Sequence, residues 1–103
     1  MLRFTIFTLS ILAMFFMKNK TIKYVALGDS YTIGEGATIE ESFPSLLESH
    51  LQKDGIHIKL EANPSRTGWT TKDLIENELH IFDDIKPDFV TLLIGVNDWV
   101  LAA

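Results

Sequence analysis

Tyr24-Val25-Ala26-Leu27-Gly28-Asp29-Ser30-Tyr31-Thr32 passes, within nine residues, from an unbroken apolar run to a polar turn. Four apolar residues in succession, without alternation, suit a strand covered on both faces, and Gly28 ends it. Such a strand needs helices above and below, and the residues downstream provide them. Ser42 stands ahead of Phe43, Leu46, Leu47, His50 and Leu51, which share one helical face, and Gly55 is a stop signal. Ile56, Ile58 and Leu60 then alternate with His57, Lys59 and Glu61, the period of a second strand less buried on one side. Thr70 with Asp73 three residues on makes a helix-starting cap, and Leu74, Ile75, Leu79 and Phe82 supply the apolar stripe behind it. Pro87 ends this stretch. Residues 89–94 form a third strand, apolar except at Thr91 and stopped by Gly95.

The order strand, helix, strand, helix, strand implies right-handed crossovers and a parallel sheet with helices on its faces, an α/β three-layer architecture. In such sheets ligands bind beyond the carboxyl ends of the strands. The segments to search are therefore residues 28–36, 62–69 and 95–100.

Composition narrows the function. The chain has 103 residues, enough for one small domain, with 47% apolar and 22% charged side chains. It has no Cys, which removes disulfides, thiolate metal sites and a Cys nucleophile. A net charge of −5 repels phosphate backbones, so no nucleic-acid partner is expected. The three His fall on different predicted elements without the i, i+4 spacing of a helical zinc pair, and neither metal nor cofactor is expected.

The first seventeen residues stand apart. Phe4 opens an almost unbroken apolar run to Met17 that holds four of the seven Phe, and no acidic residue precedes Asp29. With Arg3 ahead of it, the run resembles a secretory signal and is short for a spanning helix. It lacks a small-x-small cleavage site, and Lys18, Lys20 and Lys23 follow it closely. Two readings stay open. In one, residues 1–17 are a signal or anchor, residues 4–17 contact a membrane, and the protein is secreted, periplasmic or membrane-anchored. In the other, translation starts at Met17 and the protein is cytoplasmic. Residues 18–103 are the domain in either case.

The three strand-end segments carry the chemistry. The first reads Gly28-Asp29-Ser30-Tyr31-Thr32, the second Asn63-Pro64-Ser65-Arg66-Thr67-Gly68-Trp69-Thr70-Thr71, and the third Gly95-Val96-Asn97-Asp98. Together they resemble the SGNH (GDSL) hydrolases, a family with a Gly-Asp-Ser turn after strand one, a glycine in its second block and Gly-x-Asn-Asp in its third. The resemblance covers residues 22–100. It implies a flavodoxin-like three-layer sheet, here truncated after the third strand, and an esterase or lipase that takes a small-molecule, lipid or carbohydrate ester.

Roles follow from the same resemblance. Ser30 is the implied nucleophile, on a sharp strand-to-helix turn. The Ser30 N–H, the Gly68 N–H and the Asn97 side-chain amide are the implied oxyanion hole. Donors already aimed at the developing charge need no reorganisation, and losing one lowers rate by about 10² to 10³. Singly, these residues also read as a turn serine, a loop glycine and a turn asparagine. Gly28, Asp29, Gly95 and Asp98 are supporting residues, the two carboxylates as acceptors for loop backbone. Arg66 contacts an anionic substrate group or is solvated, and Trp69 and Trp99 line an acyl pocket or, by default, cover the sheet edge.

A serine needs a base, and the base an orienting group. The family supplies both in a late Asp-x-x-His block that has no credible counterpart here. Asp54-Gly55-Ile56-His57 has the right letters but lies ahead of strand two, at the wrong end of the sheet, whereas a base must approach to ~3 Å. Asp54 and Gly55 read as helix-end punctuation and His57 as a solvent-side residue. His50 reads as packed or half-buried on an apolar helix face and His80 as a helix-end cation. With strand one between strands two and three, strand three becomes an exposed edge, so the polypeptide alone is expected to be marginally folded with little or no esterase activity.

Two other readings fit the architecture. A flavodoxin-like module would hold a phosphate or flavin with Ser30, Thr32 and Gly34. A non-catalytic remnant would bind an acyl ligand through the oxyanion-hole groups. A Rossmann site is weaker, because Gly34-Glu35-Gly36 is followed by Ile39 where the third glycine belongs.

Overall fold

The computed structural model describes residues 20–102, so both readings of residues 1–17 lie outside the described residues. The elements in chain order are β1 (Ile22–Gly28), α1 (Ser30–Ile33), a 3-10 turn (Ile39–Glu41), α2 (Phe43–Lys53), β2 (Ile58–Ala62), α3 (Thr71–Asn77), α4 (Ile81–Asp84), β3 (Phe89–Leu93) and α5 (Val96–Ala102).

The apolar run of β1 organises the packing, because its residues alternate between two faces and both faces are covered. Tyr24 and Ala26 pack with Ile58 and with Leu47 and Leu51 of α2. Val25 and Leu27 face the other way, onto Leu74 of α3 and Ile81, Phe82 and Ile85. The result is the expected three-layer parallel α/β sheet, in the order β2-β1-β3. Both pairings are parallel, and β1 runs level with β3 to its end, where Gly28 pairs with Leu93. The β2 register stops earlier, with Ala62 beside Val25.

Several details differ from the sequence expectation. The helix after Thr70 is not continuous: α3 ends at Asn77, and a second short helix starts at Ile81. Ile75, within α3, and Leu79, beyond its end, are exposed, although they sit on the expected apolar stripe. His80 is not a helix-end cation but stands at the N-cap of α4. His50 is exposed rather than packed, because Leu47 and Leu51 are the residues of α2 that reach the core. Ile56 precedes β2 and is exposed, since the pairing with β1 begins at Ile58. The third strand-end segment, residues 95–100, is mostly helical, because α5 starts at Val96.

Candidate active site

The site is built at the carboxyl ends of the strands, beginning where β1 becomes α1. Asp29 caps the turn: its Oδ1 accepts from the Tyr31 N–H at 3.0 Å, and its carbonyl accepts from Thr32 and Ile33. Ser30 is the first residue of this turn and half-buried, so its own N–H has no acceptor within the helix. Gly28 has no room for a side chain, since a Cβ there would lie 2.1 Å from Thr32 Oγ1 and 2.5 Å from the Leu93 carbonyl.

The second segment is tied to the first. The Asn63 amide donates to the Thr32 carbonyl at 3.1 Å, and the buried Ser65 hydroxyl donates to Asn63 Oδ1. Gly68 follows at a φ of +82°, a conformation that favours a residue without a Cβ. The Arg66 guanidinium lies 5.9 Å from the Trp69 ring centroid and is exposed.

The third segment is tied to the second. Asn97, in the first turn of α5, donates one amide hydrogen to the Trp69 carbonyl at 2.8 Å. An asparagine amide carries two donors, so the second is left for another acceptor. Asp98 accepts from both the N–H and the hydroxyl of Thr71, at 2.7 and 2.5 Å. Those bonds, the hydroxyl's first, hold the Asp98 carboxyl below the usual Asp range. Trp99 does not cover the sheet edge, being 77% exposed on α5.

Two open depressions adjoin α1. One, of about 350 Å³, is lined by Asp29, Tyr31, Leu93, Ile94 and Val96. The other, of about 460 Å³, is lined by Ile33, Asn63, Pro64, Ser65, Arg66 and Thr67. Either is large enough for part of a small ligand.

The Asp54–His57 string lies elsewhere. The His57 carbonyl accepts from the N–H of Ile22, the first residue of β1, whereas Ser30 follows its last. A strand of that length spans ~20 Å. No imidazole among the described residues hydrogen-bonds to Ser30.

Sequence reasoning missed three residues here. Asn63 and Ser65 form a hydrogen-bonded link between loops, and their only signal is polar residues just beyond the end of an alternating strand. Glu78 is the third. It is fully buried, and its Oε1 accepts from the Gly28 N–H at 3.0 Å, a contact between residues 50 positions apart.

Fold and site define a class: a three-layer α/β domain whose strand ends carry a Gly-Asp-Ser turn, a glycine loop and a Gly-x-Asn-Asp helix start, the layout of the SGNH hydrolases. The chain belongs to the GDSL-like lipase/acylhydrolase family, whose model matches residues 26–103. It is 36% identical over 76 residues to an arylesterase of Vibrio mimicus, a match covering 74% of this chain and 38% of that protein. Among solved structures, it is similar to AlinE4, an SGNH-hydrolase family esterase, with 27% identity and a TM-score of 0.72 over 82% of this chain and 45% of that one. A family 3 carbohydrate esterase of Clostridium thermocellum gives 29% identity and a TM-score of 0.71 over 81% of this chain and 48% of that one. The chain thus spans less than half the length of each of these relatives.

Proposed function

We propose that this chain carries the nucleophile and the oxyanion donors of a serine ester hydrolase. In this reading Ser30 Oγ attacks the acyl carbonyl, and the carbonyl oxygen becomes an oxyanion. The Ser30 N–H, the Gly68 N–H and the free amide hydrogen of Asn97 receive that charge. Collapse expels the alcohol, which leaves carrying the proton that Ser30 Oγ gives up, and the acyl-Ser30 ester is then hydrolysed by water to the carboxylic acid and free Ser30. The depression beside Tyr31, Leu93, Ile94 and Val96 suits the acyl group, and the one beside Asn63 and Arg66 suits a more polar leaving group.

The supporting observation is the stitching of the three segments by the Asn63–Thr32, Asn97–Trp69 and Asp98–Thr71 bonds. A donor held before the reaction starts stabilises the transition state without reorganisation. Asp29, Asp98, Gly28 and Gly95 act here as supports of that arrangement. The reading gives Asp54 and His57 no part, and assigns the chain a reactive serine without its base. Oxyanion donors and binding alone retain about 10³ to 10⁴-fold acceleration over water when triad members are removed from serine hydrolases, so slow acylation is expected. The flavodoxin-like alternative is weakened by Thr32, a needed phosphate donor, being fully buried.

The test is site-mapped labelling. The full chain is treated with a fluorophosphonate, and the modified residue is located by mass spectrometry. Ser30 is expected to be labelled ahead of every other serine, and Asn97→Ala to slow that labelling at least tenfold. Labelling spread evenly over the serines, or an unchanged rate in Asn97→Ala, would overturn the reading.

A further inference from the structure

Glu78 is 0% exposed, and no step proposed above uses it. It follows the last residue of α3, and its side chain reaches the end of β1, where Oε1 accepts from the Gly28 N–H at 3.0 Å. Its other oxygen, Oε2, has no hydrogen-bond partner among the described residues. The same is true of Thr32 Oγ1, which lies against the same glycine. Burial chiefly, and the Asp29 carboxylate as well, push the Glu78 carboxyl above the usual Glu range, while the Gly28 bond acts the other way. A buried carboxyl with an idle oxygen costs stability, and a leucine of similar size would carry no such cost. Residues that lower stability in this way concentrate where function requires a fixed geometry.

The geometry at Gly28 supplies that requirement. A side chain cannot anchor this residue, because Thr32 Oγ1 and the Leu93 carbonyl occupy the place of a Cβ. Strand β2 does not reach it either, since its register with β1 stops at Val25. We propose that Glu78 is a positioning residue for the nucleophile: its Oε1 holds the Gly28 N–H and so fixes the passage from strand to turn from which Ser30 Oγ and the Ser30 N–H project. The inference rests on Ser30 being the nucleophile. A misplacement of about 1 Å at such a group costs on the order of 10²-fold in rate, so one anchor two residues away, on the side of Gly28 not paired with Leu93, is enough to matter.

The test compares the full chain with Glu78→Gln, Glu78→Leu and Glu78→Met, following fluorophosphonate labelling of Ser30 and thermal midpoints together. Glu78→Gln keeps a carbonyl acceptor and is expected to label within about twofold of the parent. Whichever of the Leu and Met variants folds is expected to label about tenfold more slowly with a midpoint equal or higher, the loss of one hydrogen bond without loss of packing. Equal labelling in all variants overturns the proposal, as does a loss in the Gln variant equal to that in the apolar ones. If Ser30 is not labelled in the parent, the nucleophile reading fails on its own, and hydrogen exchange of the Gly28 amide decides for Glu78. Faster exchange in the apolar variants but not in Glu78→Gln upholds the anchor, and unchanged exchange overturns it.

Discussion

Gly28 in the Gly-Asp-Ser turn and Gly68 in the second strand-end segment are under different constraints, and substitution separates them. At Gly28 an added Cβ would overlap a hydroxyl and a backbone carbonyl, neither of which can move without disturbing α1 or β3. At Gly68 the space is open and only the φ of +82° resists a side chain. Gly68→Ala is therefore expected to cost about 1 kcal/mol and Gly28→Ala about 3 kcal/mol, measured by urea denaturation. Equal losses would show that the Gly28 clash is relieved by rearrangement. The two perturbed carboxylates make a second prediction, with opposite signs. Asp98 is held below its ordinary pKa, so its contribution is present above the unfolded value and is lost as pH falls through the folded one. Glu78 is raised, so its contribution is present below the unfolded value and is lost as pH rises through the folded one. Thr71→Val is expected to return the Asp98 titration, followed by NMR, towards 3.8, and Glu78→Gln to flatten the decline of the urea midpoint above the Glu range. The Gly-Asp-Ser and Gly-x-Asn-Asp residues were visible in the sequence because each block is contiguous. Glu78 was not, because a Glu in a helical pattern reads as solvent-facing, and its partner lies 50 residues away.

At the scale of elements, local signals worked where one short contact decides the outcome. The Thr70–Asp73 pair was readable as a capping box, and both halves form: Asp73 Oδ2 accepts from the Thr70 N–H at 3.0 Å, and Thr70 Oγ1 accepts from the Asp73 N–H at 3.2 Å. Thr70→Val is expected to lower stability by about 1 kcal/mol in urea denaturation, because it removes the cap and leaves the fold otherwise intact. The same substitution loosens the start of α3, where Thr71 holds Asp98, so Ser30 labelling is expected to slow with it. The end of α3 was unreadable for a reason that also concerns Glu78. Leu74, Ile75, Leu79 and Phe82 continue a helical period across it, but the helix stops at Asn77 and Glu78 turns inward to Gly28. A tertiary bond to a buried acceptor outweighs the period there. The start of α5 was missed because Gly95 and Asn97 are loop-forming types, and only Asp98 in its first turn marks a helix start.

At the scale of the molecule, the order β2-β1-β3 gives β3 one neighbouring strand among the described residues, and the helical layers centre on β1. The apolar run at residues 89–94 was legible as a strand suited to burial on both faces, yet here it is neither central nor covered. Leu92 is 63% exposed and Leu93, on the opposite face, 48%. Phe89 and Val90 of the same strand, and Val96 and Val100 of α5, are exposed as well. Unpaired backbone beside exposed apolar side chains favours pairing with another chain. The full chain is therefore expected to associate as its concentration rises, measured by sedimentation velocity. Leu92→Lys should suppress this, because a charge on an outer strand cannot be desolvated cheaply when a second strand pairs beside it. Since Leu92 is mostly exposed already, the change should alter the unfolding free energy from urea denaturation by no more than about 0.5 kcal/mol. Association that persists unchanged in Leu92→Lys would place its cause elsewhere, with the apolar run at residues 4–17 the next candidate. A monodisperse monomer would show that the uncovered edge of β3 is tolerated in water. Either result bears on Ser30 too, because Leu93 pairs with Gly28 at the end of the sheet. A contact that orders β3 therefore acts on the strand end that leads into Ser30, and Leu92→Lys is expected to leave Ser30 labelling unchanged only in dilute, monomeric samples.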